Sequence, residues 1–72
     1  MDVTKEQIHA AMELLTTMVV ESMAESEHQD ASEVLPAFLS SKTGQMLYDK
    51  KLKLWCKGPS YIEDLYRKEM AG

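Results

Sequence analysis

The sequence predicts an all-α fold, a compact bundle of three to four helices around one core. Three observations carry that prediction. Thr4-Lys5-Glu6-Gln7, Asp30-Ala31-Ser32-Glu33 and Ser60-Tyr61-Ile62-Glu63 each read as a helix start. Each is followed by apolar residues spaced three and four apart, the period of a helix with one buried face. The 72 residues suffice for one small domain, 1–72, and not for two.

The first helix is predicted over about 5–27. The Thr4 hydroxyl is placed to take the Gln7 amide, and the Gln7 side chain to reach back. Ile8, Ala11, Met12, Leu15, Val19 and Met23 then share one face, and neither glycine nor proline interrupts before Asp30. Such a helix is roughly 34 Å long, the longest element of the fold. A second helix is expected over about 32–41, with Asp30 as its cap and Val34, Leu35, Phe38 and Leu39 as its apolar face. A start near Ser32 keeps Pro36, which lacks an amide proton, close to the first turn. Ser40, Ser41 and Gly44 weaken continuity, so 42–49 reads as a short third helix or a kinked continuation of the second. Lys51, Leu52, Lys53 and Leu54 alternate polar and apolar, and a lone strand is not stable. The expectation for 50–57 is therefore an extended segment that pins Leu52, Leu54 and Trp55 into the core. Trp55, the only tryptophan, is expected to be largely buried. Gly58-Pro59-Ser60 punctuates, and a final helix over about 60–70 turns Ile62, Leu65, Tyr66 and Met70 to one side.

Composition narrows function. At 44% hydrophobic and 28% charged, the chain has the balance of a soluble globular protein rather than a disordered one. A formal charge of −4 argues against indiscriminate polyanion binding by the whole surface. The charge is also uneven. Residues 1–36 hold one base against eight acids, and residues 37–72 hold seven bases against four acids. A single cysteine, Cys56, rules out an internal disulfide and a multi-thiolate metal site within one chain. Met1-Asp2-Val3-Thr4 lacks the features of a signal peptide, and no apolar run approaches membrane-spanning length. A cytoplasmic protein with no membrane partner is expected.

Candidate chemistry is sparse. His9 and Glu13 have the i, i+4 spacing of a metal-ligand pair, yet His28 lies near the far end of the first helix and zinc needs at least three protein ligands. Cys56 stands between basic residues that would favour a thiolate, but a nucleophile also needs a base and an orienting partner. The three glycines, Gly44, Gly58 and Gly72, form no phosphate loop. The expectation is no enzyme, with no catalytic, cofactor or metal residues.

Two binding surfaces are legible instead. Met18 lies off the core stripe and Val20 broadens the apolar face, which marks a possible protein-interaction face on a chain with six methionines. Lys42, Lys50, Lys51, Lys53 and Lys57 are interleaved with Tyr48 and Trp55, a pattern that grips phosphates while a ring stacks on a base. No arginine lies in that tract to read base edges. The first expectation for function is a non-enzymatic protein-protein interaction module, with a homodimer as one form. The alternative is weak, sequence-nonspecific nucleic-acid binding through 42–57.

Over about residues 18–66 the cadence of the chain resembles a family of short bacterial helical proteins, a domain of unknown function. The matching pieces are Glu21-Ser22-Met23-Ala24-Glu25, Ser32-Glu33-Val34-Leu35, Phe38-Leu39, Leu47-Tyr48-Asp49 and Gly58-Pro59-Ser60-Tyr61-Ile62-Glu63-Asp64. Gly-Pro-Ser-Tyr-Ile is the most distinctive of them. The resemblance implies a small helical fold and assigns no catalytic residues.

Overall fold

Helix α1, Lys5–Glu27, begins where its cap dictates. In this computed structural model, which describes residues 4–72, the Gln7 amide donates to Thr4 Oγ1 at 3.1 Å. The Thr4 amide donates to Gln7 Oε1 at 3.0 Å, which closes the capping box. The N-terminal start Met1-Asp2-Val3 lies outside the described residues. The helix stops at His28, in a left-handed conformation (φ 54°). Its amide and that of Gln29 donate back to the carbonyls of Glu25 and Ala24, at 3.4 and 2.9 Å. That is a Schellman ending with histidine in the place glycine usually takes.

Helix α2, Ala31–Ser40, follows after a short turn. Asp30 is its N-cap by backbone conformation, but its carboxylate accepts no capping bond. The Asp30 carbonyl instead receives the Glu33 and Val34 amides, at 2.9 and 3.2 Å. Pro36 sits past the first turn, and the Ser32 carbonyl that its missing amide would have met belongs to an exposed residue that water can reach.

Helix α3, Lys42–Leu47, is separate from α2 and two residues shorter than predicted. Ser41 ends one helix and caps the next, with an extended backbone (φ −73°, ψ 164°). Its hydroxyl donates to the Phe38 carbonyl at 2.5 Å and accepts the Gly44 amide at 3.0 Å. Gly44, which reads from sequence as a weak point, is required here. A Cβ on it would lie 2.0 Å from the Phe38 carbonyl oxygen.

The segment after α3 is not extended. Asp49 Oδ1 accepts the Lys51 amide at 3.0 Å, and the Asp49 carbonyl accepts the Leu52 amide at 3.1 Å. That Asx turn overrides the alternating pattern. Lys53 is left-handed (φ 54°), and a single 3-10 turn, Leu54–Cys56, follows. Leu54 is buried and Trp55 half-buried against the core, but Leu52 is 48% exposed, so one of the three expected anchors points outward.

Helix α4, Pro59–Ala71, starts one residue before its predicted position. Gly58 is the N-cap and Pro59 occupies the first turn, where its fixed φ suits the helix. The Ser60–Glu63 capping box therefore does not form. Met70, expected in the core, is 59% exposed.

Phe38, Leu47, Val19 and Ile62 are fully enclosed at the centre, with Tyr66 edge-on to Phe38 at 5.1 Å between ring centroids. From α1, Met12, Leu15, Val19 and Met23 are buried as expected. Thr16, Val20 and Ala24 are buried beside them, because α1 packs against α2, α4 and the 3-10 turn at once. The apolar face of α2 is divided: Val34 and Phe38 are buried, Leu35 and Leu39 are not. Four helices and no strand are found among the described residues.

Gly44→Ala is expected to cost about 1–3 kcal/mol, since the neighbour it would strike is backbone. In a domain of this size each kcal/mol lowers the melting temperature by about 4–8 °C, which thermal circular dichroism reads directly. Gly58→Ser, where nothing lies within 4 Å of an added Cβ, should stay within about 0.5 kcal/mol of the parent.

Candidate interaction surface

The two faces proposed from sequence differ in what holds them. Tyr48 is half-buried, and its hydroxyl is 3.0 Å from Thr16 Oγ1, which also donates to the Met12 carbonyl at 2.8 Å. The Thr16 hydroxyl hydrogen is thus committed to Met12, and Tyr48 donates to Thr16. The ring is pinned to α1, with His9 edge-on at 6.3 Å, and is not free to stack on a base. Trp55 packs on the core, and its enclosed Nε1 has no hydrogen-bond partner. Both rings of the predicted nucleic-acid surface are therefore structural in placement.

The lysines are placed differently. Lys50, Lys51 and Lys53 are exposed on the Asx turn, and Lys57 lies beyond the 3-10 turn, its Nζ 5.5 Å from the ring centroid of exposed Tyr61. Lys42 is apart from them at the start of α3. Its backbone amide donates to Glu69 Oε2 at 2.9 Å. Glu69 Oε1 accepts the Thr43 amide and hydroxyl, at 2.8 and 2.7 Å. One carboxylate of α4 thus serves as a cap for α3. No sequence signal marks it, because the partners are 26 and 27 residues away.

On the protein-interaction face, Val20 requires correction. It is 4% exposed and belongs to the core, because the face it widens is covered by α2. Met18 is 43% exposed, and Leu14, one turn earlier on the same side, is 61% exposed. Leu14 was legible by the same spacing that singled out Met18. On α2, Leu35 and Leu39 make a second exposed i, i+4 pair. A shallow groove between the helices is lined by Thr17, Val20, Glu21, Ala31, Ser32 and Leu35.

The candidate chemical groups stay dispersed. His9 Nδ1 and Glu13 Oε1 stand 2.6 Å apart at an exposed i, i+4 contact, the geometry of a solvent-accessible hydrogen bond. They line an open cleft with Lys5, Glu6, Ala10 and Lys50, of mixed charge. No three histidine, cysteine or acidic side chains converge on a metal-sized site among the described residues. Cys56 is free and exposed. No helix among the described residues is long and apolar enough to cross a membrane.

No family model, characterised protein or solved structure matches the chain. The resemblance to short bacterial helical proteins rests on the sequence motifs alone.

Two carboxylates tie α4 to its neighbours. The Thr43 hydroxyl and amide, with the Lys42 amide, hold Glu69 below the usual carboxylate range. A hydrogen bond from Ser22, with support from Arg67, lowers Glu63 despite partial burial. A depressed folded pKa contributes stability that is present above the unfolded value, near 4.5, and is lost as pH falls through the folded value. The melting temperature should therefore fall on acidification below about 4.5. Glu69→Gln should melt lower at neutral pH and lose part of that acid dependence, measured as melting temperature against pH for both proteins.

Proposed function

We propose that the protein is a non-enzymatic interaction module that binds another protein on the outer face of α1 and the adjoining rim of α2. The observation that carries this reading is the placement of Leu14 and Met18 on α1, and of Leu35 and Leu39 on α2, as exposed i, i+4 pairs. Burying one such side chain stabilises a fold by about 1.5–3 kcal/mol. A chain of 72 residues has few to leave out. Met18, exposed on that face, adds a side chain that adapts to a partner's shape. A single unpaired thiol, Cys56, suits a reducing compartment and supports a cytoplasmic setting.

Leu14→Ser with Met18→Ser should leave the melting temperature within a few degrees of the parent, because both side chains are exposed. The same double variant should lose the partners, a second copy of the chain included, that an affinity-tagged parent captures from its native host. Identical co-purifying proteins for both would overturn the reading.

Sequence-nonspecific nucleic-acid binding is the second reading, favoured by the exposed cluster Lys50, Lys51, Lys53 and Lys57. It requires that the emission anisotropy of a fluorescently labelled oligonucleotide rise on adding the protein at low salt, with a log-log salt slope of about −0.7 per phosphate contacted. Unchanged anisotropy at micromolar concentrations retires it.

A further inference from the structure

We propose that the partner of the α1 outer face is a second copy of this chain, which docks its basic turn at 50–53 on that face. The inference rests on the interaction-module reading and names its partner.

Leu14, Met18, Glu21 and Glu25 recur at i, i+4, i+7 and i+11, so they form one stripe along α1. All four are exposed. No ion pair among the described residues engages Glu21 or Glu25. The turn offers the complement. Leu52, 48% exposed, stands between Lys51 and Lys53 and two residues beyond Lys50. These three lysines are exposed, and no ion pair among the described residues engages them either. Each patch combines apolar side chains with charge of one sign, and the signs are opposite. Such pairs steer encounter and exclude like-charged partners.

Within one molecule no ion pair among the described residues joins the two patches. The turn is rooted at Tyr48, whose hydroxyl bonds Thr16, and Lys50 shares a cleft with Lys5, His9 and Glu13. Leu14 and Met18 are each two positions from Thr16, roughly 200° around the helix at 3.6 residues per turn. The acidic end of the stripe is offset from that cleft along the helix: Glu21 and Glu25 stand 11 and 15 residues beyond Ala10, which lines it, roughly 16 and 22 Å at 1.5 Å per residue. Each molecule carries both halves of the contact, so the stripe of one copy meets the turn of another.

Sedimentation velocity on the full chain tests this at rising concentration and two salt levels. Electrostatic reach falls from ~30 Å at 0.01 M ionic strength to ~8 Å at 0.15 M. Association should weaken roughly tenfold or more across that range. Two charge-reversed proteins complete the test: Lys51→Glu with Lys53→Glu, and Glu21→Lys with Glu25→Lys. Circular dichroism first establishes that both keep the parent's helicity, and Gln replaces the reversed residues in any that do not. Each reversed protein alone should stay monomeric, because its two patches then carry the same sign. The two mixed should associate, since the acidic turn of one meets the basic stripe of the other. A parent that is monomeric throughout at low salt would overturn the proposal. So would reversed proteins that associate like the parent, or a mixture that stays monomeric. None of these results touches the loss of host partners through Leu14 and Met18, by which the broader reading is judged.

Discussion

The close approach of α3 to the end of α2 sets the geometry on which the rest of the bundle depends. Phe38, fully enclosed at the centre of the core, has its carbonyl pressed against the backbone of Gly44. The Ser41 hydroxyl donates to that carbonyl and accepts the Gly44 amide, so one side chain closes the corner from both sides. Glu69 then takes the Lys42 and Thr43 amides, which leaves the first three amides of α3 satisfied. A six-residue helix has little stability of its own. It is held because α2 supplies the floor, Ser41 and Glu69 supply the cap, and Leu47 fills the core. With α2, α3 and α4 fixed in this way, α1 has a surface to lie on.

Charge is arranged by the same long-range logic. The last turn of α1 carries acidic residues and no basic one, which opposes the helix dipole. Arg67 of α4 supplies the missing cation. Its guanidinium donates to Glu63 Oε2, to Ser26 Oγ at 2.9 Å, and lies 3.8 Å from Glu27. The acids that Arg67 does not reach, Glu21 and Glu25, are on the stripe that also leaves Leu14 and Met18 uncovered. The internal neutralisation of α1 is therefore confined to one side.

How much was legible in the sequence follows from the range of each interaction. Thr4 and Gln7 are three residues apart and solve their hydrogen bonds between themselves, so α1 begins where its motif says. Ser60 and Glu63 have the same spacing, but Glu63 is taken by Ser22 and Arg67, and Pro59 starts the helix earlier. Alternation at 51–54 suggested extended chain, and the Asp49 carboxylate imposed a turn instead. Periodicity found Val34 and Phe38 of α2 and Ile62 and Tyr66 of α4 as core residues. It could not tell that no neighbour covers Leu35, Leu39 or Met70, because coverage is decided by the packing of other helices. The same limit placed Val20 outside and made Tyr48 a free ring. Both errors arise from contacts made across the bundle, with α2 in one case and with Thr16 in the other.

The size of the exposed stripe constrains what kind of association it supports. From Leu14 to Glu25 the helix rises only about 16 Å, too short for the standard interface of about 1,600 Å². Contacts below that size hold transient complexes, in which charge governs the encounter rate more than the final affinity. In the proposed contact, attraction would come from a few apolar side chains and several solvated charges. Some of the large apolar side chains enclose Phe38, and eight others stay exposed among the described residues. In the proposed contact those on the stripe and the turn would support recognition that ionic strength adjusts.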